Sequence, residues 1–154
     1  MAELGTFALD LSRLVDKAKR NMAAVVRKVV IDLGEAIVED TPVGDPDTWK
    51  GGRESAPPGY VGGRARGSWQ YGHNAPNATE GPLDSTGAST LGRLEAGVRS
   101  HPALGGVHYV TSTVPYMRRL EYEAWSAQAP EGMVRKNILS FQQHLDAAAR
   151  EVNR

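Results

Sequence analysis

The sequence predicts an α+β domain in which a long N-terminal helix and a C-terminal helix pack on a small antiparallel sheet. Three observations lead there. Apolar residues from Leu11 to Ile37 recur at three- and four-residue steps. A β-branched run, Val-His-Tyr-Val-Thr-Ser-Thr, occupies 107–113. Between them the chain loses all periodicity and becomes rich in glycine and proline from about 42 to 90. Helices gathered on one face of a small antiparallel sheet make this class.

The first element is read as a helix over 11–40. Leu11, Leu14, Val15, Ala18, Met22, Val25, Val26, Val29, Leu33 and Ile37 fall on one stripe, and Arg13, Lys17, Arg20, Arg27, Lys28 and Glu35 lie opposite. Asp10 or Ser12 can cap its start. Thr41-Pro42 stops it, because the proline ring disfavours helical backbone at the preceding residue. Such a helix is roughly 45 Å long, more than a small domain needs, so part of its stripe is expected to meet a neighbouring chain. Gly34 costs about 1 kcal/mol against alanine, so a bend or break is expected there.

Residues 42–90 read as an extended loop with one short strand. Gly44-Asp45-Pro46-Asp47, Gly51-Gly52, Pro57-Pro58-Gly59 and Gly62-Gly63 are turn chemistry. Ala65 to Tyr71 is the expected strand, with Trp69 and Tyr71 on one face. Linkers that stay disordered are poor in aromatics, yet Trp49, Tyr60, Trp69 and Tyr71 all lie here. The loop is therefore expected to be mobile in the free chain and to order against a partner. A β-hairpin is expected over 91–113, with Leu94, Ala96 and Val98 alternating on its first strand. Tyr116 to Glu123 suits one or two helical turns. A last helix is expected over 131–152, with Val134, Ile138, Phe141, Leu145 and Ala148 on one face. A length of 154 residues fits a single domain, 1–154, large enough to bury a core unaided.

Composition restricts the chemistry. Eighteen basic residues balance eighteen acidic ones, so bulk charge does not point to nucleic acid. The chain has no cysteine, which removes disulfides, thiolate nucleophiles and thiolate zinc sites. No run approaches the ~20 apolar residues of a membrane helix, and Asp10 and Arg13 interrupt the plan of a secretion signal. His73, His101, His108 and His144 do not stand in the HExxH spacing of a zinc helix. There is no Gly-x-Ser-x-Gly elbow, and the glycine pairs lack the Gly-Lys-Ser/Thr of a phosphate loop. No enzyme is expected, and no cofactor, metal or catalytic residue.

Two segments stand out as contact surfaces. In the run from Tyr60 to Tyr71, Arg64 and Arg66 alternate with glycines, Trp69 and Tyr71. Such a run can stack on single-stranded nucleic acid, and a nucleic-acid-binding module is the alternative reading. The same residue types are enriched at protein–protein hot spots, and zero net charge with two arginines favours protein. The second segment runs from Val114 to Val134 and crowds Tyr116, Arg118, Arg119, Glu121, Trp125 and Gln128 before a helix. With Trp49, these residues form the expected interface.

Several of the same segments carry a family resemblance. Thr41-Pro42-Val43-Gly44-Asp45-Pro46 at the end of a long amphipathic helix resembles the neck, or tail-completion, proteins of siphophages. So do Pro58-Gly59-Tyr60-Val61-Gly62-Gly63, Arg66-Gly67-Ser68-Trp69 and the run from Pro115-Tyr116 to Gly132-Met133. That group is related to the minor tail protein Z type of lambda-like phages, and the likeness spans roughly Leu11 to Leu145. The chain departs from it at Ala124 and Ala127, where glycine and a basic residue are expected. The resemblance implies a non-enzymatic virion protein, assembled in the bacterial cytoplasm. It implies a hexameric ring at the head–tail junction, in contact with head-closure, tail-terminator or tail-tube proteins. Genomic DNA would pass through the lumen without sequence-specific binding, and no membrane is involved.

Overall fold

The computed structural model describes residues 2–154, with side chains from Gly5 onward. Helix α1 covers Ala2–Asp40, and its 39 residues make it about 58 Å long. It starts well before the expected position, so Asp10 and Ser12 lie inside it and cap nothing. It ends where Thr41-Pro42 predicts. It runs unbroken through Gly34, which faces Leu94: a Cβ there would lie at an ordinary contact distance, 3.5 Å from Leu94 Cδ1.

Two 3₁₀ turns follow, Pro46–Thr48 and Arg53–Ser55, then the short helix α2 (Arg64–Gly67) and strand β1 (Gln70–His73). The strand expected over 65–71 is thus a helical turn followed by a later strand. Helix α3 spans Ala88–Ser100, β2 spans His108–Thr111 and α4 spans Met117–Tyr122. The single helix expected over 131–152 is two, α5 (Val134–Leu139) and α6 (Phe141–Val152), broken at Ser140.

The hairpin expected over 91–113 does not form. Its first half is α3, and β2 pairs instead with β1, antiparallel, with Gln70 opposite Thr111 and His73 opposite His108. Leu91, Leu94 and Val98 stand three and four apart and turn toward the core, whereas Ala96, which a strand would place on the same face as Leu94, is exposed. Helical spacing prevailed over a loose alternation. The α+β class stands: long first and last helices flank a two-stranded antiparallel sheet.

Most of the core lies between the second half of α1, α3 and β1. Ile37, Val38, Ala65, Trp69, Tyr71, Leu94, Val98, Leu120, Ala129 and Met133 form one buried cluster. Gly97 lets α3 approach β1, since a Cβ there would sit 2.5 Å from the Tyr71 ring. Helix α5 is tied to the end of α1 by Lys136 and Asn137, which both reach Asp40 at 2.8 Å, and α6 then runs back along α1. At the other end Lys28 meets Glu151 at 3.1 Å, and Asn21 donates to Asn153 at 3.5 Å.

The 42–90 segment is anchored within its own chain. Trp69 Nε1 donates to the Thr41 hydroxyl at 2.8 Å. The buried Asp84 carboxylate accepts from the Gly87 and Thr90 amides, both at 2.8 Å, and from the hydroxyls of Thr90 and Thr86. It thereby satisfies free amides at the start of α3. Burial alone would raise this carboxyl, but the four donors overcome that and hold it at about 2, against an ordinary 3.8.

The acid limb of stability follows from Asp84. Its folded value lies below its unfolded one, so its contribution is complete above pH 4 and is lost as pH falls toward 2. Asp84→Ala leaves two buried amides without an acceptor and should cost about 2–3 kcal/mol at pH 7 in urea denaturation. The variant should also lose much of the wild type's decline between pH 4 and 2.

Candidate partner-binding surface

Two segments far apart in sequence, 42–64 and 116–128, come together beyond the C-terminal end of α1. Gln128 joins them: its Oε1 accepts from the Val43 amide at 3.2 Å and its Nε2 donates to the Val43 carbonyl at 2.9 Å. A side-chain amide thus fills both hydrogen-bonding positions of one backbone residue. Gly62 fits closely beneath, since a Cβ there would lie 2.6 Å from the Gly44 carbonyl oxygen.

This scaffold carries two pairs of rings. Trp49 and Tyr60 meet edge to face at 5.1 Å between centroids. Tyr116 and Trp125 do the same at 5.8 Å, and the Arg119 guanidinium lies 4.8 Å over the Trp125 ring. The Tyr116 hydroxyl is pushed up mainly by burial and also feels the Arg64 charge, which lowers it, and Tyr60, which raises it. Beside them the exposed Tyr122 ring lies 4.9 Å from the Arg135 guanidinium carbon. Rings placed edge to face, with a cation over one of them, are held in position before any partner arrives. Trp125 is 54% exposed and Tyr122 63%.

The structure therefore divides the residues expected at an interface into two groups. Trp49, Tyr60, Arg64, Tyr116, Arg119, Trp125 and Gln128 lie on or beside this surface, and Arg118 is exposed on α4. Arg64 reaches Glu80 at 3.3 Å, but both are exposed and the pair holds little.

Arg66, Trp69, Tyr71 and Glu121 instead serve the interior. Trp69 and Tyr71 are core residues, so the stacking platform needed for single-stranded nucleic acid is not on the surface. Arg66 gives its donors to the carbonyls of Glu39, Thr41 and Ser85 at 2.9–3.1 Å. Glu121 is buried and accepts from the Met133, Val134 and Arg135 amides at 2.7–2.9 Å. Burial raises its carboxyl, yet these bonds and the Arg135 side chain hold it below the ordinary glutamate range. Gly132 was the available signal. At φ +81 it sits against Glu121, where a Cβ would come within 2.6 Å of the Glu121 carbonyl oxygen.

Sequence reading missed a second cluster. His73 lies 5.1 Å from His101 and 5.4 Å from His108, beside Tyr71, whose hydroxyl is 2.8 Å from His108 Nδ1. No spacing rule brings these three together, because β-pairing and the end of α3 do so. Among the described residues no group of three or more His, Cys, Asp or Glu is arranged to hold a metal ion. A cleft beside Gln128, bounded by Asp40, Glu131 and Lys136, encloses about 110 Å³. That is small against the ~300–1,000 Å³ of ligand sites.

The chain matches no family model, no curated protein and no solved structure. The geometry of this surface therefore carries the functional reading. One backbone detail in it bears on the sequence. Ala124, next to Trp125, holds φ +46, in the left-handed region that favours glycine. This is the position where the resemblance expects glycine. Ala124→Gly should stabilise the protein by about 1 kcal/mol, read as a higher urea midpoint at unchanged slope.

Proposed function

We propose that this chain is a structural virion protein of a long-tailed bacteriophage, a ring subunit at the head–tail junction. It would join head-closure proteins to tail-terminator or tail-tube proteins around the channel through which the genome passes. The observation that carries the reading is the ring-and-arginine surface. It is built largely from stretches that bear the tail-completion resemblance, Thr41 to Pro46, Pro58 to Gly63 and Pro115 to Met133, clamped together by Gln128.

A cyclic ring needs a heterologous contact, one patch meeting a different patch on the next copy. Exposed aromatic rings with a polar, arginine-bearing rim have the make-up of such a patch. The anchoring of 42–90 within the chain supports a preformed contact rather than one that orders on binding. The sixfold copy number and the neighbouring neck and tail proteins belong to this proposal through the resemblance.

Electron microscopy of virions lacking this protein should show full heads and separate or aberrant tails. Trp125→Ala with Arg119→Ala should keep the wild-type circular dichroism and thermal midpoint. A hot-spot loss of about 2 kcal/mol per contact corresponds to roughly 30-fold weaker association. Over a ring of contacts the plaque count on complementation should fall further still. Normal tailed particles without the protein, or full complementation by the double variant, would refute the reading.

A further inference from the structure

The first half of α1 has a partner-shaped surface of a different kind. Every residue from 5 to 20 is exposed, and Phe7, Leu9, Leu11, Leu14, Val15 and Met22 are exposed large apolar residues. At 100° per residue, Phe7, Leu11, Leu14, Val15, Ala18 and Met22 fall within an arc of about 100°. Only Leu9 points away. The same arc continues into Val25, Val29, Leu33 and Ala36, where α6 covers it up to the contact of Asn153 with Asn21. One stripe thus runs the length of the helix. A helix covers one half, and the half from Phe7 to Ala18 is bare.

The bare half is complementary to itself. Laid antiparallel with 5 opposite 20, the segment pairs Phe7 with Ala18 of a second copy and Leu11 with Leu14, large against small and leucine against leucine. Leu11 and Ala18 then take the first core position of a heptad and Phe7 and Leu14 the fourth, as two-helix packing requires. Beside this seam on one edge stand Asp10 and Lys17, which the same register places across from Lys17 and Asp10 of the other copy. Ala8 and Val15 form the opposite, apolar edge. The length also fits, because the second copy's segment begins where α6 stops.

We propose that the exposed segment of α1 is a dimerisation arm, pairing antiparallel with the same segment of a second copy about a two-fold axis between residues 12 and 13. The occupant of the bare stripe is another copy of this chain. Asp10 and Lys17 fix the register, since a parallel pairing sets Asp10 against the wrong partners and a shifted one leaves both charges unmatched. This pairing does not rest on the head–tail reading, because it uses no residue of the ring-and-arginine surface.

The chain has no cysteine of its own, so cysteine pairs report the geometry cleanly. Full-length Phe7→Cys and Ala18→Cys proteins, mixed under mild oxidation, should give a disulfide dimer of one with the other. Each alone should give several-fold less. Sedimentation should show a dimer at tens of micromolar that becomes a monomer in Leu11→Asp/Leu14→Asp. That variant should keep its thermal midpoint in dilute solution, because both leucines are exposed. Self-crosslinking of each single variant at full yield would mean parallel arms and overturn the proposal. So would a wild-type monomer, a dimer that survives the double aspartate, or a Phe7→Cys protein that crosslinks only to a cysteine placed at the exposed Leu139.

Discussion

The fold depends on how the C-terminal end of α1 is closed. A helix leaves its last carbonyls without intrahelical donors, and Pro42 prevents the chain from continuing to supply them. Here the donors come from 25 residues downstream. The Arg66 guanidinium reaches the carbonyls of Glu39 and Thr41 and also that of Ser85. Thr41, fully buried, turns its hydroxyl back to the Ile37 carbonyl at 2.6 Å and accepts from Trp69. A cation at this end also opposes the negative pole of the helix. Charged hydrogen bonds of this kind are worth about 1.5–3 kcal/mol each. Their larger effect is positional, because they fix α2 and β1 against α1 and so decide where β2 can pair.

The same device recurs twice. Asp84 supplies acceptors to the free amides of α3, and Glu121 supplies them to the start of α5. Each is a single carboxylate held at a helix start, Asp84 from just ahead of α3 and Glu121 from twelve or more residues upstream of the amides that donate to it. This is how a stretch with little regular structure stays ordered around a modest apolar core. It also explains why 42–90 is not a free loop: Arg66, Trp69 and Asp84 tie its second half to two different helices. Of the aromatics expected to meet a partner, Trp69 and Tyr71 face inward, whereas Trp49 and Tyr60 remain near the surface.

What the sequence made legible was whatever repeats locally. The α1 stripe, its stop at Thr41-Pro42, the β-branched strand near 108 and the short helix after Tyr116 were readable from spacing and turn chemistry. The misreadings were non-local. Strand β2 finds its partner more than thirty residues upstream, and nothing in Gln70–His73 marks it as the match. Residues 91–99 carry apolar positions consistent with both periods, and the helix is the one that carries Leu94 and Val98 into the shared core. The interior roles of Arg66, Glu121 and Trp69 were illegible for a related reason. A charged or aromatic residue reads alike whether it meets another chain or a helix end of its own.

The two outward surfaces of this molecule differ in physics as well as in place. The arm on α1 is an apolar stripe, held helical because the packed half of α1 has already overcome nucleation, and its register is set by few charges. The ring-and-arginine surface is directional, with each aromatic fixed by a neighbour before contact. Symmetry then constrains how both can be used. An isologous arm pair is satisfied by two copies, whereas a heterologous contact continues until a ring closes. Both can persist in one assembly only if the arm's two-fold axis stands perpendicular to the ring axis, which yields two rings face to face. In a single ring, were the proposed ring to form alone, the arms would have to part. A dimer that dissolves on assembly would keep an aggregation-prone stripe covered until the ring is built.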